Sequence, residues 1–347
     1  MNKKLISLLT AATLVLSLTA CGNNTETQQS SVSSVSSSES QQEETSATSE
    51  SSQETEARTT IEEIPDEYKT EAKEQGELVR IDYPTSAEDK YAYVYTPYGY
   101  SEDNSYDILY MMHGSGAGAE ALLGSASNPS EMKNVLDHLI EKGEMRPMLV
   151  VTPTFYTEKN RSASANGLLK GIREFPNELV DYLMPAVESK YSTYAKTADA
   201  EGFKASREHR AFSGFSMGAA TTWFVFEQCL PYFHDYIPIS CDSWTIGQQG
   251  GLSQPERTAE TLANAVTEQG YTSADFFIYA VTGSGDSAEP AMNAQINAMN
   301  ELEIFSLTET GRESGNLTYR VKENGVHEMS YAKMYLYNAL PELYPAK

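Results

Sequence analysis

Gly214-Phe215-Ser216-Met217-Gly218 sets a serine between two glycines at the spacing G-x-S-x-G. A serine alcohol is a weak nucleophile and becomes a useful one only when a base takes its proton. The context suits that chemistry. The sequence predicts a short strand over Arg210–Phe212 and a helix over Met217–Cys229, stopped by Pro231, so Ser216 falls on a sharp strand-to-helix turn. The residues two positions either side of such a turn must be small, and both are glycine. Ser216 would then project above the sheet, with the helix N-terminus favouring negative charge beside it.

The partners of such a serine follow it in the chain as acid, then histidine. His327, in Asn324-Gly325-Val326-His327, comes after the last predicted strand and is the expected base. His234 follows the elbow helix too soon and reads as a surface residue. The expected acid is Asp286, the first carboxylate on the loop Thr282-Gly283-Ser284-Gly285-Asp286; Asp242 is its rival on the preceding loop. An oxyanion hole needs two backbone N–H groups. One is expected from Met217 and the other from Ser115, in His113-Gly114-Ser115-Gly116. The glycines at 114–118 lack both G-x-G-x-x-G spacing and the Gly-Lys-Ser/Thr of a phosphate loop. Phe155, Tyr156 and Trp244 follow predicted strands where loops should converge, and are candidate walls for a planar acyl group.

Several elements must position these residues. Leu78–Tyr83 and Tyr91–Thr96 read as antiparallel edge strands. Asp107–Met112, Pro147–Thr152, Tyr236–Ser240, Phe276–Val281 and Leu317–Lys322 read as further strands. Helices are predicted over Ser130–Lys142, Glu174–Tyr191, Pro255–Glu268, Glu289–Glu301 and Met329–Leu340. Strands alternating with helices imply an α/β architecture of the α/β-hydrolase type, a mostly parallel central sheet with helices on both faces.

Lys3, Lys4 and the apolar run 5–18 end in Leu18-Thr19-Ala20-Cys21. The run is short for a membrane span and reads as a signal segment over 1–20. Small residues before a cysteine resemble a bacterial lipobox, which implies lipid on Cys21 and a place on the extracellular face of the cell membrane. Residues 21–60, rich in Ser, Thr, Gln and Glu, read as a disordered tether, and 61–347 as the catalytic domain. The net charge of −24 lies mostly in that domain, which argues against a nucleic-acid partner. Cys229 and Cys241 read as two buried thiols, one disulfide being the alternative. The five histidines show no H-E-x-x-H spacing, so no metal and no cofactor is expected.

The domain resembles the feruloyl and acetylxylan esterases of carbohydrate esterase family one. The resemblance rests on Ile64-Pro65-Asp66-Glu67-Tyr68-Lys69, Tyr98-Gly99-Tyr100, Leu109-Tyr110-Met111-Met112-His113-Gly114, Val187 to Tyr194, His209 to Gly218, Thr282 to Asp286 and Gly325-Val326-His327. It implies that Ser216, Asp286 and His327 form the triad and that the substrates are feruloylated or acetylated xylan or arabinoxylan fragments. The chain departs from the pattern at Ser115 and Ala117, where the family leads one to expect further glycines.

Overall fold

Residues 77–96 open the sheet as a hairpin, because two strands flank a turn in which Thr85 N–H donates to Glu88 O and Glu88 N–H donates to Thr85 Oγ1. The computed structural model describes residues 60–157 and 165–346. The signal, the tether and Cys21 lie outside them.

The strands are β1 (Glu77–Pro84), β2 (Asp89–Thr96), β3 (Asp107–Met112), the two-residue pair β4 (Gly124–Ser125) and β5 (Asn128–Pro129), β6 (Met148–Thr152), β7 (Arg210–Phe215), β8 (Asp235–Ile239), β9 (Phe277–Gly283) and β10 (Leu317–Lys322). The main sheet runs β1-β2-β6-β3-β7-β8-β9-β10. Both pairings of β2 are antiparallel and the rest are parallel, so the expected edge hairpin and parallel body are both present. The helices are α1 (Glu131–Glu141), α2 (Ala165–Glu178), α3 (Met184–Glu188), α4 (Ala200–Ala205), α5 (Met217–Cys229), α6 (Gly250–Ser253), α7 (Pro255–Glu268), α8 (Glu289–Asn300) and α9 (Met329–Leu343).

Successive residues of a strand face opposite layers, and β3 shows the consequence. Ile108, Tyr110 and Met112 join one core with Trp223, Phe224 and Phe226 of α5, while Leu109 and Met111 join another with Leu136 of α1 and Leu340 of α9. Both faces of β7 are buried, so its one charged residue, Arg210, needs a partner inside the protein. At its start Arg210 makes a two-pronged ion pair with Glu188, 2.9 and 2.7 Å, both side chains buried. Removing one partner would strand a buried charge at a cost of about 3–5 kcal/mol. The strand that carries Ser216 is thus anchored at its far end.

The long helix expected over Glu174–Tyr191 is instead α2, a wide π turn over Leu179–Leu183, and α3. Pro176 and Pro185 lack the N–H that a regular ladder needs, and the wide turn comes just before Pro185. α9 runs past Pro341 to Leu343; burial of Pro341 and Leu343 offsets the lost hydrogen bond.

Candidate active site

Ser216 sits between β7 and α5 with φ 56° and ψ −120°, a conformation that costs an L-residue on the order of 1–3 kcal/mol. The surroundings hold it there. Its N–H donates to Ile239 O at 2.9 Å at the end of β8, and its carbonyl accepts from Ala219 and Ala220 in the first turn of α5. The flanking glycines are required by contact: a Cβ on Gly214 would overlap the Gly218 carbonyl, and one on Gly218 would overlap the Met112 carbonyl oxygen of the neighbouring strand.

His327 and Asp286 reach the serine from the two loops that follow β10 and β9. Ser216 Oγ donates to His327 Nε2 at 2.8 Å, and His327 Nδ1–H donates to Asp286 Oδ1 at 2.8 Å. The two loops are laced together. Gly285 N–H bonds Gly325 O at 2.9 Å, Asn324 N–H bonds Ser284 Oγ at 2.8 Å, and a Cβ on Gly283 would run into the Gly325 backbone. Asp286 also accepts the Ala288 N–H at 2.8 Å, near the start of α8. Burial works against its charge, but the bonds from His327 and Ala288, with the Ser240 hydroxyl nearby, outweigh that and hold its carboxyl below the usual aspartate value. The Asp286 side chain is sealed from solvent while that of His327 is 35% exposed, so the base is open to a substrate and the acid is not. Phe215 packs its ring against His327, with centroids 4.8 Å apart.

Asp242, the rival acid, is buried and bonds Trp244 Nε1–H and Gly251 N–H rather than a histidine. His234 pairs with Asp235 at the start of β8, the end of the sheet away from Ser216. Cys229 and Cys241 are free and buried.

Met217 N–H, at the first position of α5, has no partner in its own helix. Opposite, the 113–118 loop runs against the nucleophile: a Cβ on Gly114 would lie 3.2 Å from Ser216 Cβ. Within this loop the residue with positive φ is Gly116, at 76°, while Ser115 and Ala117 adopt ordinary backbone. The two departures from the expected glycines therefore fall where a side chain costs nothing. His113 stiffens the loop. Its Nδ1–H donates to Gly114 O and its Nε2 accepts from Thr154 Oγ1, both at 2.7 Å.

Phe155 and Tyr156 are buried beside this histidine, with ring centroids 4.6 and 5.4 Å from it, and Tyr156 OH accepts the Gly116 N–H at 2.7 Å. The structure therefore gives them the place of braces under the loop, where slot walls were expected. Trp244 is half-buried on the loop after β8. Thr154 was missed from sequence; a threonine just after a strand carries no signal of its own.

The feruloyl esterase module from Clostridium thermocellum, a mutant solved in complex with sinapinate, is 35% identical to this chain. The match covers 82% of this chain and 93% of that one, with a TM-score of 0.73. The chain belongs to the feruloyl esterases of carbohydrate esterase family one. Endo-1,4-beta-xylanase Y from Acetivibrio thermocellus is 38% identical over 231 residues, 67% of this chain; the chain spans 20% of that protein's length. At 19% identity the family's ferulic acid esterase from the anaerobic fungus Anaeromyces mucronatus shares the fold, with a TM-score of 0.58 over 80% of this chain and 95% of that one. No protein-family model matches the chain.

Proposed function

We propose that this chain is a serine carboxylesterase that releases hydroxycinnamoyl groups, feruloyl above all, from plant cell-wall xylan. The observation that carries the reading is the unbroken relay from Ser216 Oγ through His327 to Asp286, with both hydrogen bonds at 2.8 Å. Ser216 attacks the ester carbonyl carbon as its proton passes to His327 Nε2, and Asp286 stabilises the imidazolium. The N–H groups of Met217 and Ser115 receive the developing oxyanion. As the ester C–O bond breaks, His327 returns the proton to the departing sugar hydroxyl. Water then repeats the sequence on the acyl-enzyme and frees the acid.

Membership in the family and the sinapinate complex of a relative support an aromatic acyl group, and the xylanase name of another supports xylan. Trp244 supplies an aromatic face on the loop that starts beside Ser216. A planar phenolic acyl group gains binding energy from such a face that acetyl does not. We further propose that lipid on Cys21 holds the enzyme on the extracellular face of a bacterial membrane.

A side-by-side assay of methyl ferulate, feruloylated arabinoxylan fragments and acetylated xylan tests the substrate. Feruloyl esters are expected to show the higher kcat/KM. Faster release of acetate would make the enzyme an acetylxylan esterase, and no turnover together with no fluorophosphonate labelling of Ser216 would make it a binding protein.

A further inference from the structure

Asp242 is a buried carboxylate that the proton relay does not use. It is 3% exposed, and a charge so placed costs free energy unless donors surround it. Trp244 Nε1–H donates to its Oδ1 at 3.1 Å, Gly251 N–H to its Oδ2 at 2.8 Å, and Cys241 Sγ lies 3.8 Å from Oδ1. The loop between β8 and α6 is thereby closed on one side chain. Gln295 of α8, also buried, clamps the same loop by accepting the Ser243 N–H at 2.6 Å. A Cβ on Gly251 would come within 2.7 Å of Asp242 Cβ and 2.8 Å of Gln295 Oε1, so the closure leaves no slack.

The loop begins beside the nucleophile, because Ile239 O, at its root, accepts the Ser216 N–H. It is held from below by Trp223 of α5, whose Nε1–H donates to Cys241 O at 3.1 Å. The indole of Trp244 has one polar atom, a donor only. Two torsions set where its plane lies, and a hydrogen bond from that atom to a fixed carboxylate restrains them.

We propose that Asp242 is a positioning residue of the acyl subsite: it holds the indole plane of Trp244, and that orientation sets the preference for planar aromatic over small acyl groups. The inference rests on Trp244 being a wall of that subsite, as argued under the proposed function.

Two variants and one spectrum test it. Trp244→Phe keeps a ring and removes the donor. Asp242→Asn keeps the shape, but its amide can accept from only one of the two N–H groups and opposes the other. Each is expected to lower kcat/KM for methyl ferulate about tenfold more than for p-nitrophenyl acetate, the worth of a hydrogen bond to a charged group. The loss should appear mainly in KM. Asp242→Asn added to Trp244→Phe should change the ferulate value less than twofold, since the bond is already gone. Equal losses on both esters, or additive losses in the double variant, would overturn the proposal. If Asp242→Asn does not fold, the unmodified protein still decides. Of its two indole N–H resonances, the one missing in Trp244→Phe should exchange with solvent slowly; exchange as fast as a free indole refutes the bond. Should the unmodified enzyme hydrolyse acetate but not ferulate, the feruloyl reading falls and this inference with it. Hydrolysis of both, with an unchanged ratio in the variants, overturns this inference alone.

Discussion

Asp286→Asn separates two things an acid does for a catalytic histidine: fixing which nitrogen carries the proton, and stabilising the charge that forms. Asp286 Oδ1 accepts from both His327 Nδ1–H and Ala288 N–H, each at 2.8 Å, whereas Oδ2 is buried with no hydrogen-bond partner. An asparagine has two ways to sit. With its oxygen in the Oδ1 place, both bonds survive, and its NH2 group takes the Oδ2 place, where the Ser240 hydroxyl that neighbours Asp286 can turn to accept rather than oppose it. Turned over, its NH2 would face the Ala288 N–H, donor against donor, and the proton would have to leave His327 Nδ1. Ala288 thus selects the first orientation, and the tautomer is kept. What is lost is the charge. Two unit charges about 4 Å apart interact by about 4 kcal/mol at an effective dielectric of 20, and the amide dipole retains part of that. The expected fall in kcat on methyl ferulate is therefore on the order of 10²–10³-fold, less than the ~10⁴-fold expected when the tautomer is wrong. Steady-state kinetics with saturating ester measures it, and nitrogen NMR of His327 reads the tautomer. A loss under tenfold would mean that Asp286 does not serve His327. A loss of 10⁴-fold or more, with the proton on Nε2, would refute the orientation argued from Ala288.

Gly218→Ala should lower stability by about 3 kcal/mol or more, above the common range for overpacking, because its Cβ would meet the Met112 carbonyl of a central strand; a thermal midpoint within a degree of the parent would contradict this. Cys21→Ser should move the protein from the membrane fraction to the culture fluid, and equal membrane retention of both forms would end the lipid-anchor proposal. Burial pushes the thiols of Cys229 and Cys241 well above the usual cysteine value, so a thiol reagent at pH 8 should modify neither until the chain is unfolded; rapid modification of the folded protein would show that one of them is open.

The elbow was legible because two signals coincide there: a short strand that runs into G-x-S-x-G, and a helix bounded by Pro231. β3, α5, α7 and β10 match their expected limits, Asp107–Met112, Met217–Cys229, Pro255–Glu268 and Leu317–Lys322, since turn residues punctuate both ends of each. The division of α2 from α3 was not legible, because an apolar stripe continues across Pro176 and Pro185 and masks the change of ladder. α4 is short and carries too little periodicity to register. At the site, Ser216 and His327 could be placed by chain order alone. The choice between Asp286 and Asp242 could not be made from spacing, as both are acids on loops at the same edge of the sheet; only the fold shows which one faces His327. The aromatic character of Phe155 and Tyr156 suits slot walls and loop braces alike, and whether such a side chain faces ligand or packs under a loop is a tertiary matter that depends here on His113 and Gly116.

The central claim is that Ser216 performs ester hydrolysis on a hydroxycinnamoyl substrate. Its most direct test is kcat for methyl ferulate in the unmodified protein and in Ser216→Ala, with folding checked by circular dichroism. The account predicts turnover in the first and a fall of about 10⁴-fold or more in the second, because the triad acts as a unit. A folded Ser216→Ala variant that keeps activity within tenfold of the parent would contradict it.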